Sequence, residues 1–162
     1  MKNVLVVYYS LTGNTKLIAE AIGESINAEI LELKPVKELN AEGSSKYFWG
    51  GYQATMKIKP KLKSFEVNPL EYDLIILGTP VWAWTYSPPI HSFLSKFDLS
   101  EKNVALWTSS QGDGLRAMDK FKKALKKANI LGEIRFKEPK QNDPDRAKEK
   151  AIAWANEILQ KI

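Results

Sequence analysis

The sequence contains no cysteine and only one histidine, and these two shortages exclude several classes of protein. Without thiols there can be no disulfide scaffold, iron–sulfur cluster, thiolate zinc site or cysteine nucleophile. A single histidine, His91, also excludes a metal site built from several imidazoles. Because the absence of cysteine fits a reducing compartment, we expect a cytoplasmic protein.

Long apolar runs are missing as well. The run at residues 4–9 is too short to span a membrane and lacks the features of a secretory signal, so no membrane insertion is expected. The 162 residues contain no repeat, low-complexity tract or Gly/Ser linker, and we predict one domain over residues 1–162. The net charge of +5 permits attraction to phosphates or acidic partners.

Short apolar segments alternate with helical periodicity along the chain. The predicted strands are residues 3–9, 28–34, 72–80, 103–109 and 130–138. The predicted helices cover residues 15–26, 115–128 and 143–162, the last beginning at Pro144 behind an Asp143 cap. This alternation predicts an α/β fold, a three-layer doubly wound five-stranded parallel sheet with helices on both faces.

Three loops that follow predicted strands have unusual chemistry: "SLTGNT", "TPVWAWTYSPP" and "SSQGDG". In open parallel sheets, ligands bind beyond the carboxyl ends of the strands, where these loops would meet. The loops at the opposite ends carry no comparable pattern. We therefore expect the binding site at the carboxyl edge.

The first loop has the composition of a phosphate site that needs no cation. Ser10, Thr12 and Thr15 supply hydroxyl donors, and Gly13 allows the backbone to curl around a ligand at a helix N-terminus. The alternative is a Ser/Thr-rich helix cap with no ligand. Neither the P-loop pattern nor the G-x-G-x-x-G fingerprint is present, and Lys16 is predicted to be a solvated helix residue.

The second loop is aromatic, with Trp82, Trp84 and Tyr86 crowded between prolines. Three aromatic residues in one loop favour stacking on a planar ligand, whereas Trp107 in the fourth strand is predicted to be core. A phosphate loop beside an aromatic loop indicates a planar phosphorylated heterocycle.

The segments "YYSLTGNTKLIAEAI", "LGTPVWAWTYSPPIHSFL" and "LWTSSQGDG" together resemble the flavodoxin family. The resemblance implies strand order 2-1-3-4-5 and FMN as the cofactor. It assigns the FMN phosphate to Ser10, Thr12, Gly13, Asn14 and Thr15. It assigns the isoalloxazine ring to Pro80, Val81, Trp82, Ala83 and Trp84, and its other edge to Ser109, Ser110, Gln111, Gly112 and Asp113.

Two functions follow from this resemblance, and the sequence leaves both open. The first is an electron carrier that exchanges electrons with redox partner proteins and has no catalytic residue of its own. The second is an FMN-dependent NAD(P)H oxidoreductase for quinones or other small electron acceptors. Residues 46–62 are expected to form either a packed helix or a lid or substrate wall at the open face of the flavin. The lysine-rich stretch 119–129 is predicted to be a solvated helix face, so no nucleic-acid partner is expected.

Overall fold

The computed structural model describes residues 1–38, 51–54 and 56–162. The strands are β1 (Val4–Tyr8), β2 (Glu29–Glu32), β3 (Leu74–Trp82), β4 (Thr85–Tyr86), β5 (Asn103–Ser110) and β6 (Asn129–Lys137). The helices are α1 (Asn14–Ile26), α2 (Pro88–Lys96), α3 (Leu115–Ala124), α4 (Pro139–Asn142) and α5 (Pro144–Leu159). Residues 51–54 are also helical, and Pro69–Glu71 form a 3₁₀ turn.

The five long strands form one parallel sheet in the order β2-β1-β3-β5-β6. The short strand β4 pairs antiparallel with β3 and lies off this path. When β4 is left aside, the order is 2-1-3-4-5, which confirms the predicted topology. The weakly apolar segment near residue 30 forms an edge strand, as expected from its alternating pattern.

Alternate residues of the central strands point to opposite faces of the sheet and fill two separate cores. On one face, Val6 and Ile76 pack with α1 and α5, where Trp154 and Ile158 are buried. On the other face, the strands pack against the apolar sides of α2 and α3. Both faces are covered because a parallel sheet joined by crossover helices has a helical layer on each side.

Trp107 lies in the core, as the sequence predicted, and is fully buried. Its Cα is paired with that of Gly78 on the neighbouring strand β3. A methyl group placed on Gly78 would lie 2.0 Å from the indole ring, so only glycine leaves room for it. This close approach fixes β3 against β5 just below the candidate site.

Two predicted boundaries are wrong. The loop expected after residue 80 is a hairpin, because β3 continues to Trp82 and pairs with β4. The helix predicted over residues 115–128 is α3, which ends at Ala124. Leu115 at its start is exposed instead of packed in the core. Among the residues described, no helix is both long and apolar enough to cross a membrane.

Candidate functional site

The loop after β1 is closed by its own backbone and side chains. Gly13 has φ of 98°, a left-handed conformation that favours glycine, and its N–H donates to the Ser10 Oγ at 3.1 Å. The helix α1 begins at the next residue. Its first amides face outward from the sheet edge with the positive end of the helix dipole, which favours an anion there.

Thr15, in the first turn of α1, carries a buried hydroxyl. Its side chain is 1% exposed, and its Oγ1 has no hydrogen-bond partner among the residues that the structure describes. Buried polar groups are satisfied in the great majority of cases, and an unsatisfied one costs about 1–3 kcal/mol. A hydroxyl left unpartnered at a helix N-terminus is therefore the observation that points to a bound acceptor.

The turn between β3 and β4 is strained. Ala83 and Trp84 are its two central residues, with φ of 49° and 58°, in a hairpin whose flanking residues Trp82 and Thr85 are paired. Two-residue hairpins of this kind require positive φ at both positions, which glycine and asparagine normally supply. Strain held by non-glycine residues is concentrated at functional sites.

The three aromatic residues of this hairpin have different surroundings. Trp84 is 65% exposed, and the Arg116 guanidinium lies 5.7 Å from its ring centroid. Trp82 is half-buried and meets Tyr9 edge-on at 5.5 Å, while Tyr86 stacks on Phe121 at 5.5 Å. Trp84 is therefore the aromatic surface of the hairpin that faces solvent.

The last residues of β5, where the third loop begins, supply two further hydroxyls without a partner in the described residues, those of Thr108 and Ser109. Ser109 is 4% exposed, and its Oγ finds no acceptor or donor in the described parts of the chain. Beyond it, the Ser110 hydroxyl donates to the Gly112 carbonyl at 2.8 Å, and the Leu115 N–H donates to the Asp113 carboxylate at 2.9 Å. The tip of this loop, from Gln111 to Asp113, is exposed.

Strand pairing brings the three loops together at one edge of the sheet. Strand β3 lies between β1 and β5, with Tyr8 opposite Gly78 and Pro80 opposite Ser109. The fifteen residues that the resemblance assigned to the cofactor therefore all lie in or beside these loops: Ser10, Thr12, Gly13, Asn14, Thr15, Pro80, Val81, Trp82, Ala83, Trp84, Ser109, Ser110, Gln111, Gly112 and Asp113. Their individual contacts with a ligand remain predictions.

Residues 46–50 and 55, part of the segment expected to be a helix or lid, lie outside the described residues. Gly51 is described and lies close to the strained turn, because a methyl group placed on it would be 3.8 Å from the Cβ of Ala83. The helical residues 51–54 therefore approach the aromatic hairpin.

Two basic side chains that no sequence motif marks also reach this edge. Arg116 lies over Trp84, and the Nζ of Lys140 donates to the Thr12 carbonyl at 3.3 Å. Neither residue belongs to a motif, and both reach the site from other elements. His91 lies in α2 beside Tyr86, where burial, with Lys59 and Lys57 nearby, lowers its pKa.

Two surface clefts lie away from these loops. One, of about 230 Å³, is at the amino end of the sheet and is lined by residues 97–100 and 124–128, with Leu94. The other, of about 370 Å³, lies between α1 and α5. Neither contains an unpartnered buried hydroxyl, so the chemistry favours the carboxyl edge even though its surface is open.

Comparison with known proteins shows the family to which the chain belongs. The sequence pattern of the flavodoxin family matches residues 3–158, and the chain therefore belongs to that family. Its fold is similar to that of a Lactobacillus acidophilus flavoprotein solved in complex with FMN, with a TM-score of 0.74 and 26% identity, covering 88% of this chain and 97% of that one.

Two further relatives extend the comparison. The fold is similar to oxidised flavodoxin 2 from Bacillus cereus, with a TM-score of 0.61 and 22% identity over 99% of each chain. The sequence is also similar to an NAD(P)H dehydrogenase (quinone) of Archaeoglobus fulgidus, 33% identical over 114 residues. That alignment covers 58% of this chain, and the chain spans only 50% of the relative's length.

Proposed function

We propose that this protein holds FMN non-covalently at the carboxyl edge of its sheet and shuttles electrons between redox partners. FMN as the cofactor is confirmed by membership of the flavodoxin family and by the FMN complex of a structural neighbour. Of the four buried polar side-chain atoms that lack a partner in the described residues, three are hydroxyls at this edge, that of Thr15 in the first turn of α1 and those of Thr108 and Ser109 at the end of β5, and this observation carries the location.

The phosphate would be held by the loop after β1. The N–H groups of Asn14 and Thr15 in the first turn of α1, together with the Thr15 hydroxyl, would replace the water shell of an anion. A bound phosphate oxygen would satisfy the Thr15 Oγ1, which has no protein partner in the described residues.

The ring would lie between the β3–β4 hairpin and the loop after β5. When bound, FMN supplies reversible uptake of one or two electrons, and the protein supplies orientation and the surrounding dipoles. Trp84 presents an exposed indole at this edge, and the loop tip at Gln111 and Gly112 is also exposed. An open edge favours direct approach of a partner protein, which supports the role of electron carrier.

A second candidate is an NAD(P)H oxidoreductase that reduces quinones or other small acceptors. The observation that favours it is Arg116 beside Trp84, which combines a cation with a flat aromatic surface of the kind that an anionic nicotinamide cofactor would use. The 33% identity with an NAD(P)H dehydrogenase (quinone) supports the same candidate.

Anaerobic reduction separates the two candidates. The protein is reconstituted with FMN, and its visible absorbance is followed while NADPH or dithionite is added in small steps. The carrier requires reduction by dithionite and no direct reaction with NADPH. Bleaching by NADPH and recovery with a quinone would instead establish the oxidoreductase. Failure to bind FMN would reject both.

A further inference from the structure

The short helix α4 lies across the phosphate loop, although the two are far apart in sequence. The Lys140 N–H donates to the Asn14 Oδ1 at 2.9 Å, and the Lys140 Nζ donates to the Thr12 carbonyl at 3.3 Å. One residue thus contacts the loop through both its backbone and its side chain. The composition of the loop alone predicts a phosphate site that needs no cation, whereas the fold places a lysine against it.

The position of Lys140 is set by the turn that precedes it. Glu138 adopts a left-handed conformation, with φ of 40°, and its N–H donates to the Ser110 carbonyl at 2.9 Å. Pro139 is buried, and the Asn142 amide donates to the Lys137 carbonyl at 2.8 Å. The turn is therefore anchored to the end of β5, and it places Lys140 between two of the three site loops.

The ammonium group lies against the tightest point of the loop. A methyl group placed on Gly13 would be 3.0 Å from the Lys140 Nζ, so the glycine leaves room for the lysine as well as for the turn. In the described ranges, no carboxylate lies within ion-pair distance of this Nζ. The charge is thus available to an anion at the N-terminus of α1.

A second observation at the same loop points independently to an acceptor. The Thr15 Oγ1 is 1% exposed and unpartnered among the described residues, on the helix whose N-terminal turn Lys140 covers. A buried donor and an unneutralised cation both bind a doubly charged phosphate more strongly than a neutral alcohol, because the bonds to phosphate are charge-assisted.

We propose that Lys140 is a further phosphate-binding residue, which makes the site selective for phosphorylated over unphosphorylated flavin. This inference rests on the proposed function, since it concerns the same loop. Its charge adds to the field of the α1 N-terminus, and its backbone N–H holds the Asn14 side chain in place. The alternative role that these contacts allow for Lys140 is purely structural, namely to fix the conformation of the loop.

The test compares the dissociation constants of FMN and riboflavin, which differ only in the phosphate, for the wild type and for Lys140→Gln and Lys140→Arg. Lys16→Gln is the matched control, because Lys16 lies in the first turn of α1, next to the phosphate loop, but pairs with Glu20 instead of contacting the loop carbonyl. The same four proteins, without flavin, are melted with and without inorganic phosphate.

We expect Lys140→Gln to weaken FMN binding about 5- to 30-fold at low salt and to leave riboflavin binding unchanged. Lys140→Arg should stay close to wild type, Lys16→Gln should have no effect, and added salt should shrink the difference. Stabilisation of the flavin-free protein by phosphate should also fall in Lys140→Gln.

If Lys140→Gln weakens the binding of FMN and of riboflavin equally, the lysine only fixes the loop and the inference is overturned. Unchanged FMN binding would also overturn it. The proposed function fails separately, if the wild type binds neither flavin. In that case thermal unfolding with and without inorganic phosphate tests the inference. If Lys140→Gln loses the stabilisation by phosphate, the anion-binding role is supported, and if the stabilisation is retained, that role is rejected.

Discussion

The hydroxyl of Thr15 provides the sharpest prediction, because its effects on folding and on cofactor binding should have opposite signs. Valine has the same shape as threonine and a similar helix propensity, so Thr15→Val removes the hydroxyl and little else. Without flavin, Thr15 Oγ1 is buried and has no partner among the described residues, which costs about 1–3 kcal/mol. Thr15→Val should therefore leave the free energy of unfolding of the apoprotein unchanged or raise it by up to about 2 kcal/mol.

With FMN the sign reverses. A hydrogen bond to a charged group contributes about 1.5–3 kcal/mol, so its loss should raise the dissociation constant of FMN by about 10- to 150-fold. The assays are chemical denaturation of the apoprotein and fluorescence titration with FMN.

Thr79→Val is the matched control for the stability measurement. Thr79 is also fully buried, but its Oγ1 accepts from the Ser87 N–H at 2.9 Å and donates to the Pro80 carbonyl at 2.8 Å. This substitution should destabilise the apoprotein by about 1–3 kcal/mol. If Thr15→Val instead destabilises the apoprotein to the same degree and leaves FMN affinity unchanged, its hydroxyl serves folding and the reasoning is refuted.

Three further predictions concern other positions. Trp84→Ala should change the unfolding free energy by no more than about 0.5 kcal/mol, yet it should increase the fluorescence of bound flavin. Trp107→Ala, which leaves a cavity in the core, should lower the unfolding free energy by about 3–5 kcal/mol. Equal losses of stability would contradict the assigned environments of the two indoles. Ala83→Gly should stabilise the apoprotein by about 1 kcal/mol in denaturation, because φ of 49° is strained for alanine, and a loss of stability would show that the turn is not strained. The hydrogen bond from Tyr72 to the Glu29 carboxylate raises the pKa of Tyr72 from 10.0 to about 12. The stability that this bond confers, measured against Tyr72→Phe, should therefore be present below pH 10 and be lost between pH 10 and 12. A stability difference that stays constant over that range would refute this prediction.

The sheet was predictable because its strands have a strong local signature. Residues such as Val6 and Ile76 lie in runs that are apolar on both faces, a pattern that few other structures share. The cap at Asp143 was equally local, since its carboxylate accepts from the Arg146 N–H three residues on. The order of the strands, however, came from resemblance to a family and not from the pattern itself.

The details of the site were less predictable because they depend on tertiary contacts. Nothing in the stretch "WAWTY" reveals that Trp82 pairs with Thr85 and leaves Trp84 as the exposed ring. Lys140 reaches Asn14 across 126 residues of sequence, a separation over which no motif extends. Sequence reasoning located the three loops, whereas the cations around them required the fold.

The central claim is that FMN binds at the carboxyl edge of the sheet. The most direct measurement is a titration of isotopically labelled apoprotein with FMN, followed through the backbone amide signals in NMR spectra. The account predicts saturation at one FMN per chain, with the largest shifts at Gly13, Thr15, Trp84 and Gly112 and little change at residues 97–100 and 125–128. Large shifts confined to those last two ranges, or no shifts at all, would contradict it.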